Sequence, residues 1–259
     1  MNIFQAIVIG IVEGVTEFLP ISSTFHQIFT AKILGITQTD FIKLFEVFIQ
    51  CGAIVAVILL YWNTIEKDRE LVKKTLIAFV PTAIIGFALN KIIQDVFFNS
   101  TSLLLCAFIV VGFLFFIVEF YFSRDKNVLR RSLTSFTYTE AIVIGIVQAC
   151  AVLPGVSRAG AVLLGMMFMR FKRDEAARFS FLLAIPTLFA ASFFDLFKMR
   201  KEIVSNLGHI ELLIVGTVVA FFSAYVVVKW FIKYLQTHTL SLFGAYRLVV
   251  GTVLFFFFR

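Results

Sequence analysis

The hydrophobic pattern divides the chain into six long apolar segments and two shorter, interrupted ones. Four of the long segments are clear, at 45–62, 103–122, 179–197 and 212–235, and two more lie at about 76–93 and 242–258. A helix of about 20 apolar residues can cross the hydrocarbon core of a bilayer. We therefore expect six transmembrane helices.

Each interrupted segment contains two short helical arms separated by a break. The segment 3–33 breaks at Pro20, and the segment 140–169 breaks at Pro154-Gly155. An arm of roughly 13 residues reaches about 20 Å, which is short of a hydrocarbon core of about 30 Å. Irregular backbone at that depth is tolerated where it is buried in protein or lines a watered cavity. These patterns predict two re-entrant helical hairpins.

The two hairpins are copies of one pattern. Residues 6–26 read AIVIGIVEGVTEFLPISSTFH, and residues 141–161 read AIVIGIVQACAVLPGVSRAGA. Each half of the chain has one hairpin followed by three spans, and an odd number of crossings inverts the second half. We predict an all-α integral membrane protein with an inverted-topology repeat. It forms one membrane domain, 1–259, whose repeats are 1–135 and 136–259.

Composition and charge agree with a membrane location. The chain is 60% hydrophobic and 15% charged, which excludes a soluble protein with one core. The net charge of +7 does not indicate nucleic-acid binding, because the basic residues lie in short loops between apolar segments. One set of loops, with Lys229 and Lys233, carries twice as many Lys and Arg residues as the opposite side. We expect that set to be cytoplasmic, which places both termini and the opening of the first hairpin outside.

The hairpins also carry the ionisable residues that a bilayer normally excludes. Such residues are costly in a membrane and suggest a functional site. The N–H groups at the start of a second arm favour an anion, and an arginine matches a phosphate group in shape and charge. The sequence therefore predicts a phosphate site that is built from Arg158, Ser157, Ser22 and Ser23.

Two carboxylates and a histidine accompany this predicted phosphate site. Glu13 and Glu17 lie one turn apart on one helix face and would repel an anion. They indicate either a divalent cation that bridges carboxylates and phosphate, or one carboxyl group that stays protonated. His26 can act as a base or acid for a Ser23 nucleophile or for water. Gln50, Gln148 and Arg247 are further candidates for lining the site.

Structural explanations exist for the same residues. The carboxylates could pair with a Lys or Arg, the serines are good helix N-caps, and a lone histidine is often a core residue. A transporter or flippase of a lipid phosphate is the alternative function, because broken helices that meet in inverted repeats are typical of transporters. Hydrolysis, unlike translocation, requires the combination of carboxylates, serine and histidine.

Four motifs resemble the undecaprenyl-diphosphate phosphatase family, the BacA or bacitracin-resistance type. They are EGVTEFLPISSTFH at 13–26, LPGVSRAGA at 153–161, FLLAIP at 181–186 and YRLVVG at 246–251. The resemblance implies an enzyme of the bacterial plasma membrane that removes the terminal phosphate of undecaprenyl diphosphate. It further implies recycling of the lipid carrier of cell-wall synthesis, a requirement for Mg²⁺ or Ca²⁺, and a site open to the outer face.

The resemblance also assigns roles to individual residues. It makes Ser23, His26, Glu17 and Glu13 catalytic, lets Glu13 and Glu17 hold the metal, and gives phosphate binding to Arg158, Ser157 and Ser22. Three positions depart from the family pattern, namely Phe25, where Gly is usual, and Ala159 and Val162, where hydroxyl residues are usual. The expected partners are the lipid substrate and membrane lipids, and the sequence permits a homodimer.

Overall fold

The computed structural model describes residues 1–92, 100–123, 129–204 and 207–257. These residues form twelve α-helices, and no β-strand occurs among them. The helices are α1 Ile3–Thr16, α2 Ser23–Ile33, α3 Asp40–Phe48, α4 Gln50–Leu60, α5 Trp62–Lys67, α6 Arg69–Ile92, α7 Thr101–Ser123, α8 Tyr138–Ala149, α9 Arg158–Phe168, α10 Arg173–Val204, α11 Leu207–Thr237 and α12 Ser241–Phe257.

Five segments of the described chain are long and apolar enough to cross a membrane. They are Asp40–Leu60, Arg69–Leu89, Thr101–Phe122, Arg173–Phe197 and Gly208–Thr237. Each contains most of one predicted span. The sixth predicted span corresponds to α12, an apolar helix of 17 residues. The last predicted residues of two spans, 93 and 258, lie outside the described residues. The chain is a multi-pass helical membrane protein.

Polar residues extend two helices, α6 and α10, beyond their apolar segments. Helix α6 begins at Arg69 because the carboxylate of Asp68 accepts a hydrogen bond from the Leu71 N–H at 2.9 Å. Helix α10 begins at Arg173, and its first turn contains Asp174 and Glu175, whose charges complement the helix dipole. Hydropathy alone cannot detect such turns, so both helices start earlier than the apolar pattern predicts.

Both interrupted segments form a helix, a break and a second helix. Helices α1 and α2 flank the first break, residues 17–22, and helices α8 and α9 flank the second break, residues 150–157. Both first arms start with a capping box, formed by Asn2 with Gln5 and by Thr137 with Glu140. With 14 and 12 residues, these arms are too short to cross a hydrocarbon core of about 30 Å.

Each first arm packs on a long helix from the other half of the chain. Helix α1 lies along α11, and helix α8 lies along α6. Glycines permit the close approach, since a Cβ at Gly145 would lie 2.1 Å from the Ala78 carbonyl oxygen, and one at Gly10 would lie 2.8 Å from the Gly216 carbonyl oxygen. Small residues at helix contacts are typical of membrane proteins, where close packing drives association. This reciprocal packing of the two halves brings the two breaks together.

Candidate active site

A polar cavity of about 250 Å³ lies between the two breaks. Both second arms begin at its wall, and helices α4, α6, α8 and α10 complete it. Its polar lining consists of Glu17, Ser22, Ser23, Thr24, Gln50, Thr82, Gln148, Ser157, Arg158 and Thr187. The repeated segments therefore meet at one site, and both glutamines that the sequence suggested for the lining lie there.

The same unusual backbone conformation begins both second arms. Ser22 and Ser157 have φ angles of 67° and 77°, in the left-handed region that L residues rarely adopt. Each serine is an N-cap: its Oγ accepts a hydrogen bond from the Phe25 N–H at 3.4 Å or from the Gly160 N–H at 3.2 Å. A positive φ at a residue other than glycine strains the backbone by about 1–3 kcal/mol, and such residues are concentrated at functional sites. This shared conformation directs two helix N-termini to one cavity, and a helix N-terminus is a favourable place for an anion.

Glu17 connects the first break to the second hairpin. The Ser23 hydroxyl donates a short hydrogen bond to Glu17 Oε2. Arg158 donates from one terminal nitrogen to Glu17 Oε1 at 3.4 Å and from the other to the Ser180 carbonyl oxygen at 2.8 Å. The Arg158 and Glu17 side chains are only 9% and 5% exposed. The carboxylate thus lies between a hydroxyl group and a guanidinium group at the cavity wall.

Glu13 is fully buried one helical turn before Glu17 and does not contribute to the cavity lining. Its Oε2 accepts a hydrogen bond from Gln27 Nε2 at 2.7 Å, while its Oε1 has no hydrogen-bond partner among the described residues. Within the residues that the structure describes, no group of three or more His, Cys, Asp or Glu side chains is placed to bind a metal ion. Mg²⁺ often binds one or two carboxylates together with phosphate and water. Glu17 at the cavity wall, with the unpartnered oxygen of Glu13 one turn behind it, supplies carboxylate oxygens of the kind that such a cation binds.

His26 is held away from Ser23. Its Nδ1 lies 2.8 Å from the Ser22 carbonyl oxygen, and its Nε2 lies 2.7 Å from the Tyr246 hydroxyl. A carbonyl oxygen only accepts hydrogen bonds, so Nδ1 carries the proton and Nε2 accepts from Tyr246 in the neutral ring. The sequence suggested His26 as the base for Ser23. In the structure the group that contacts the Ser23 hydroxyl is Glu17, because Ser23 faces the cavity and His26 faces α12.

The second hairpin contributes an amide where the first has a carboxylate. Gln148 is the repeat counterpart of Glu13, and its Nε2 donates to Thr82 Oγ1 at 2.9 Å and to Thr187 Oγ1 at 3.1 Å. Sequence reasoning missed both threonines. They lie within long apolar helices, each directly after a proline, Pro81 or Pro186, and Thr187 directly follows the FLLAIP motif, which is the signal that could have identified them. Their contribution depends on the helix packing alone.

The three departures from the family pattern lie behind the cavity wall. The Phe25 ring stacks on the Phe108 ring, with centroids 3.7 Å apart and planes 6° from parallel. Ala159 and Val162 are fully buried in the core. None of the three belongs to the cavity lining. Phe25 therefore fills space between helices and does not narrow the cavity.

These features define a class of protein, namely a multi-pass helical membrane protein with a polar cavity between two broken helices. A family model described as "Bacitracin resistance protein BacA" matches residues 6–253. The chain belongs to the BacA family. It is 44% identical over 258 residues to a protein of Aquifex aeolicus named undecaprenyl-diphosphatase, with 100% of this chain and 99% of the relative covered.

Other relatives carry the same name. The undecaprenyl-diphosphatase of Sulfurihydrogenibium sp. is 43% identical, with 97% of both chains covered. That of Campylobacter hominis is 40% identical, with 99% of both chains covered. The similarity extends over the full length, so both hairpins and all the helices around the cavity belong to the matched region.

Proposed function

We propose that this chain is an undecaprenyl-diphosphate phosphatase, which hydrolyses undecaprenyl diphosphate to undecaprenyl phosphate and inorganic phosphate. The observation that carries the proposal is the Ser23 hydroxyl on the Glu17 carboxylate, beside Arg158 and two helix N-termini in a membrane-embedded cavity. The full-length relatives named undecaprenyl-diphosphatase support the same substrate. The product is a lipid carrier that cell-wall synthesis can use again.

In the proposed mechanism, Arg158, Ser157, Ser22 and the N–H groups at the starts of α2 and α9 bind the terminal phosphate. Glu17 accepts the proton of Ser23, and Ser23 Oγ forms a bond to the terminal phosphorus. The bond from that phosphorus to the bridging oxygen breaks, and undecaprenyl phosphate leaves. Water then cleaves the phosphoserine and releases inorganic phosphate. The fixed donors stabilise the negative charge that develops during both steps.

Glu13 and Glu17 would hold a divalent cation, Mg²⁺ or Ca²⁺, in this proposal. When bound, such a cation neutralises charge on the phosphate oxygens. Glu17 already contacts Ser23 and Arg158, whereas Glu13 Oε1 has no partner within the described part of the chain. That unpartnered oxygen is the main support for Glu13 as a ligand. His26 lies outside the cavity lining and contacts the Ser22 carbonyl oxygen and the Tyr246 hydroxyl, so in this proposal it would hold the first break in position and not act on the phosphate directly.

We also infer that the two halves form an inverted repeat with six spans, α12 being the sixth. One support is the equivalence of the two capping boxes, of the two breaks and of the two serines with positive φ. Another is the reciprocal packing of α1 on α11 and of α8 on α6. The excess of Lys and Arg in one set of loops supports a cavity that opens toward the outer face of a bacterial plasma membrane.

Phosphate release from undecaprenyl diphosphate by the purified, detergent-solubilised protein tests the function. We expect release by the natural chain and almost none by Arg158→Ala, because the guanidinium that binds phosphate is lost. Lys229→Ala serves as a control, since it removes a cation remote from the cavity lining. A folded natural chain that released no phosphate would refute the proposal, and lipid-phosphate transport would then be the function to test.

A further inference from the structure

Arg247 is a fully buried arginine on α12. Its Nε donates to the Phe108 carbonyl oxygen at 2.9 Å, and its two terminal nitrogens donate to the carbonyl oxygens of Pro20 at 3.1 Å and Gly155 at 2.5 Å. Pro20 belongs to the first break, Gly155 to the second break, and Phe108 to α7. One guanidinium group therefore connects both breaks to a transmembrane helix.

The surroundings of Arg247 exclude a direct role in binding phosphate. The side chain is absent from the cavity lining, although the sequence suggested it as a lining candidate. Its guanidinium lies over the Phe108 ring, with 4.4 Å from the carbon to the ring centroid, and Phe25 stacks on the same ring. Among the described residues no carboxylate forms an ion pair with it. Arg247 uses its hydrogen bonds on backbone carbonyl groups behind the cavity wall.

The second break lies so close to α7 that its position is sensitive to this contact. Gly155 has a φ of 94°, and a Cβ there would lie 2.5 Å from the Leu104 carbonyl oxygen. The break therefore packs directly on the α7 backbone, one turn from Phe108. Carbonyl groups in a break lack the partners that a continuous helix supplies, and in a membrane they need other donors. Arg247 supplies a donor to each break from a single planar group.

We propose that Arg247 is a positioning residue that sets the spacing of the two breaks, so that both helix N-termini, Glu17 and Arg158 face one phosphate group. This inference rests on the proposed phosphatase function. The planar guanidinium is essential because its nitrogens diverge toward three acceptors at fixed angles. A lysine ammonium has its donors on one atom and cannot reach all three carbonyl groups. Displacement of either break would separate groups that must act on the same phosphorus.

The test compares Arg247→Met and Arg247→Lys with the natural chain and with Arg173→Met. Arg173 forms an ion pair with Glu119 and is absent from the cavity lining, so its loss reports the general effect of removing an arginine from the fold. Four quantities are measured: kcat and KM for phosphate release, the midpoint of thermal unfolding, and the rise of that midpoint with added inorganic phosphate. The last quantity reports assembly of the site without turnover.

We expect Arg247→Met to lower kcat/KM about a hundredfold, the effect of a displacement of about 1 Å, and to abolish the rise in midpoint with phosphate. Arg247→Lys should be intermediate. Arg173→Met should lower the midpoint and leave kcat, KM and the phosphate response unchanged. Natural kinetics and a natural phosphate response in both Arg247 variants would overturn the inference, as would equal kinetic losses in Arg173→Met.

These outcomes also separate the inference from the function on which it rests. If Arg247→Met does not fold, Arg247→Lys decides by the same measurements. If the natural chain binds inorganic phosphate but releases none from undecaprenyl diphosphate, the proposed function fails. The phosphate response of the Arg247 variants still decides whether this residue positions the breaks.

Discussion

Substitution of Glu17 by glutamine is the sharpest test of the site. In the natural chain, Glu17 Oε1 accepts from Arg158 and Oε2 accepts from the Ser23 hydroxyl. A glutamine must direct its oxygen to Arg158, because its NH₂ group and the guanidinium are both donors. The NH₂ group then faces Ser23 Oγ. The serine oxygen becomes an acceptor, and no group at that position can remove its proton.

The expected magnitude follows from the two lost contributions. A positioned general base contributes about 10²–10⁴ in rate, which equals about 2.7–5.4 kcal/mol of activation free energy. Loss of one partner of a buried ion pair costs about 3–5 kcal/mol of stability. Because the Glu17–Arg158 pair is well buried, solvent screening lowers this stability cost only slightly. Because glutamine still accepts from Arg158, and Arg158 keeps the Ser180 carbonyl, we expect a stability loss near the lower bound.

The assay measures kcat for phosphate release and the midpoint of thermal unfolding for Glu17→Gln and for a matched control, Glu119→Gln. Glu119 also accepts hydrogen bonds from an arginine, the partly buried Arg173, and from the Leu240 N–H at 2.8 Å. It is absent from the cavity lining. We expect both variants to lose stability and only Glu17→Gln to lose kcat. If Glu17→Gln retained kcat within about threefold of the natural value, Glu17 would not be the base.

Three further predictions concern the metal, the histidine and the packing. Glu13→Gln should raise the Mg²⁺ concentration needed for half-maximal phosphate release about tenfold or more, and excess chelator should stop release by the natural chain. Tyr246→Phe removes the donor to His26 Nε2, and because His26 also contacts the Ser22 carbonyl, the first break should shift slightly and kcat should fall about tenfold with KM unchanged, less than the loss for a displacement of about 1 Å, as steady-state kinetics would reveal. Gly145→Ala should cost about 1–3 kcal/mol in thermal unfolding, whereas Gly86→Ala, whose added Cβ has room, should cost nothing.

The secondary structure of this protein could largely be predicted from local sequence pattern. Apolar segments of sufficient length predict spans, because backbone groups in a membrane must be paired along the chain. Proline after a short apolar run predicts a break, because proline lacks the N–H that would continue the helix. The duplication identified the two hairpins, and ionisable residues in apolar surroundings identified the residues that meet at the cavity, such as Glu17, Ser23 and Arg158. Local pattern missed the polar first turns of α6 and α10 and the division of the first span between α3 and α4.

Tertiary structure alone decided which of these groups contact each other. Ser23 and His26 are close in sequence, yet Ser23 pairs with Glu17, and His26 pairs with Tyr246, 220 residues away. Arg247 was a candidate for the cavity lining, but it binds the carbonyl groups of both breaks behind the wall. These contacts depend on how α12 and α7 pack between the two hairpins. Side-chain direction across a helix interface follows from the packing of the whole bundle, which no local stretch of sequence encodes.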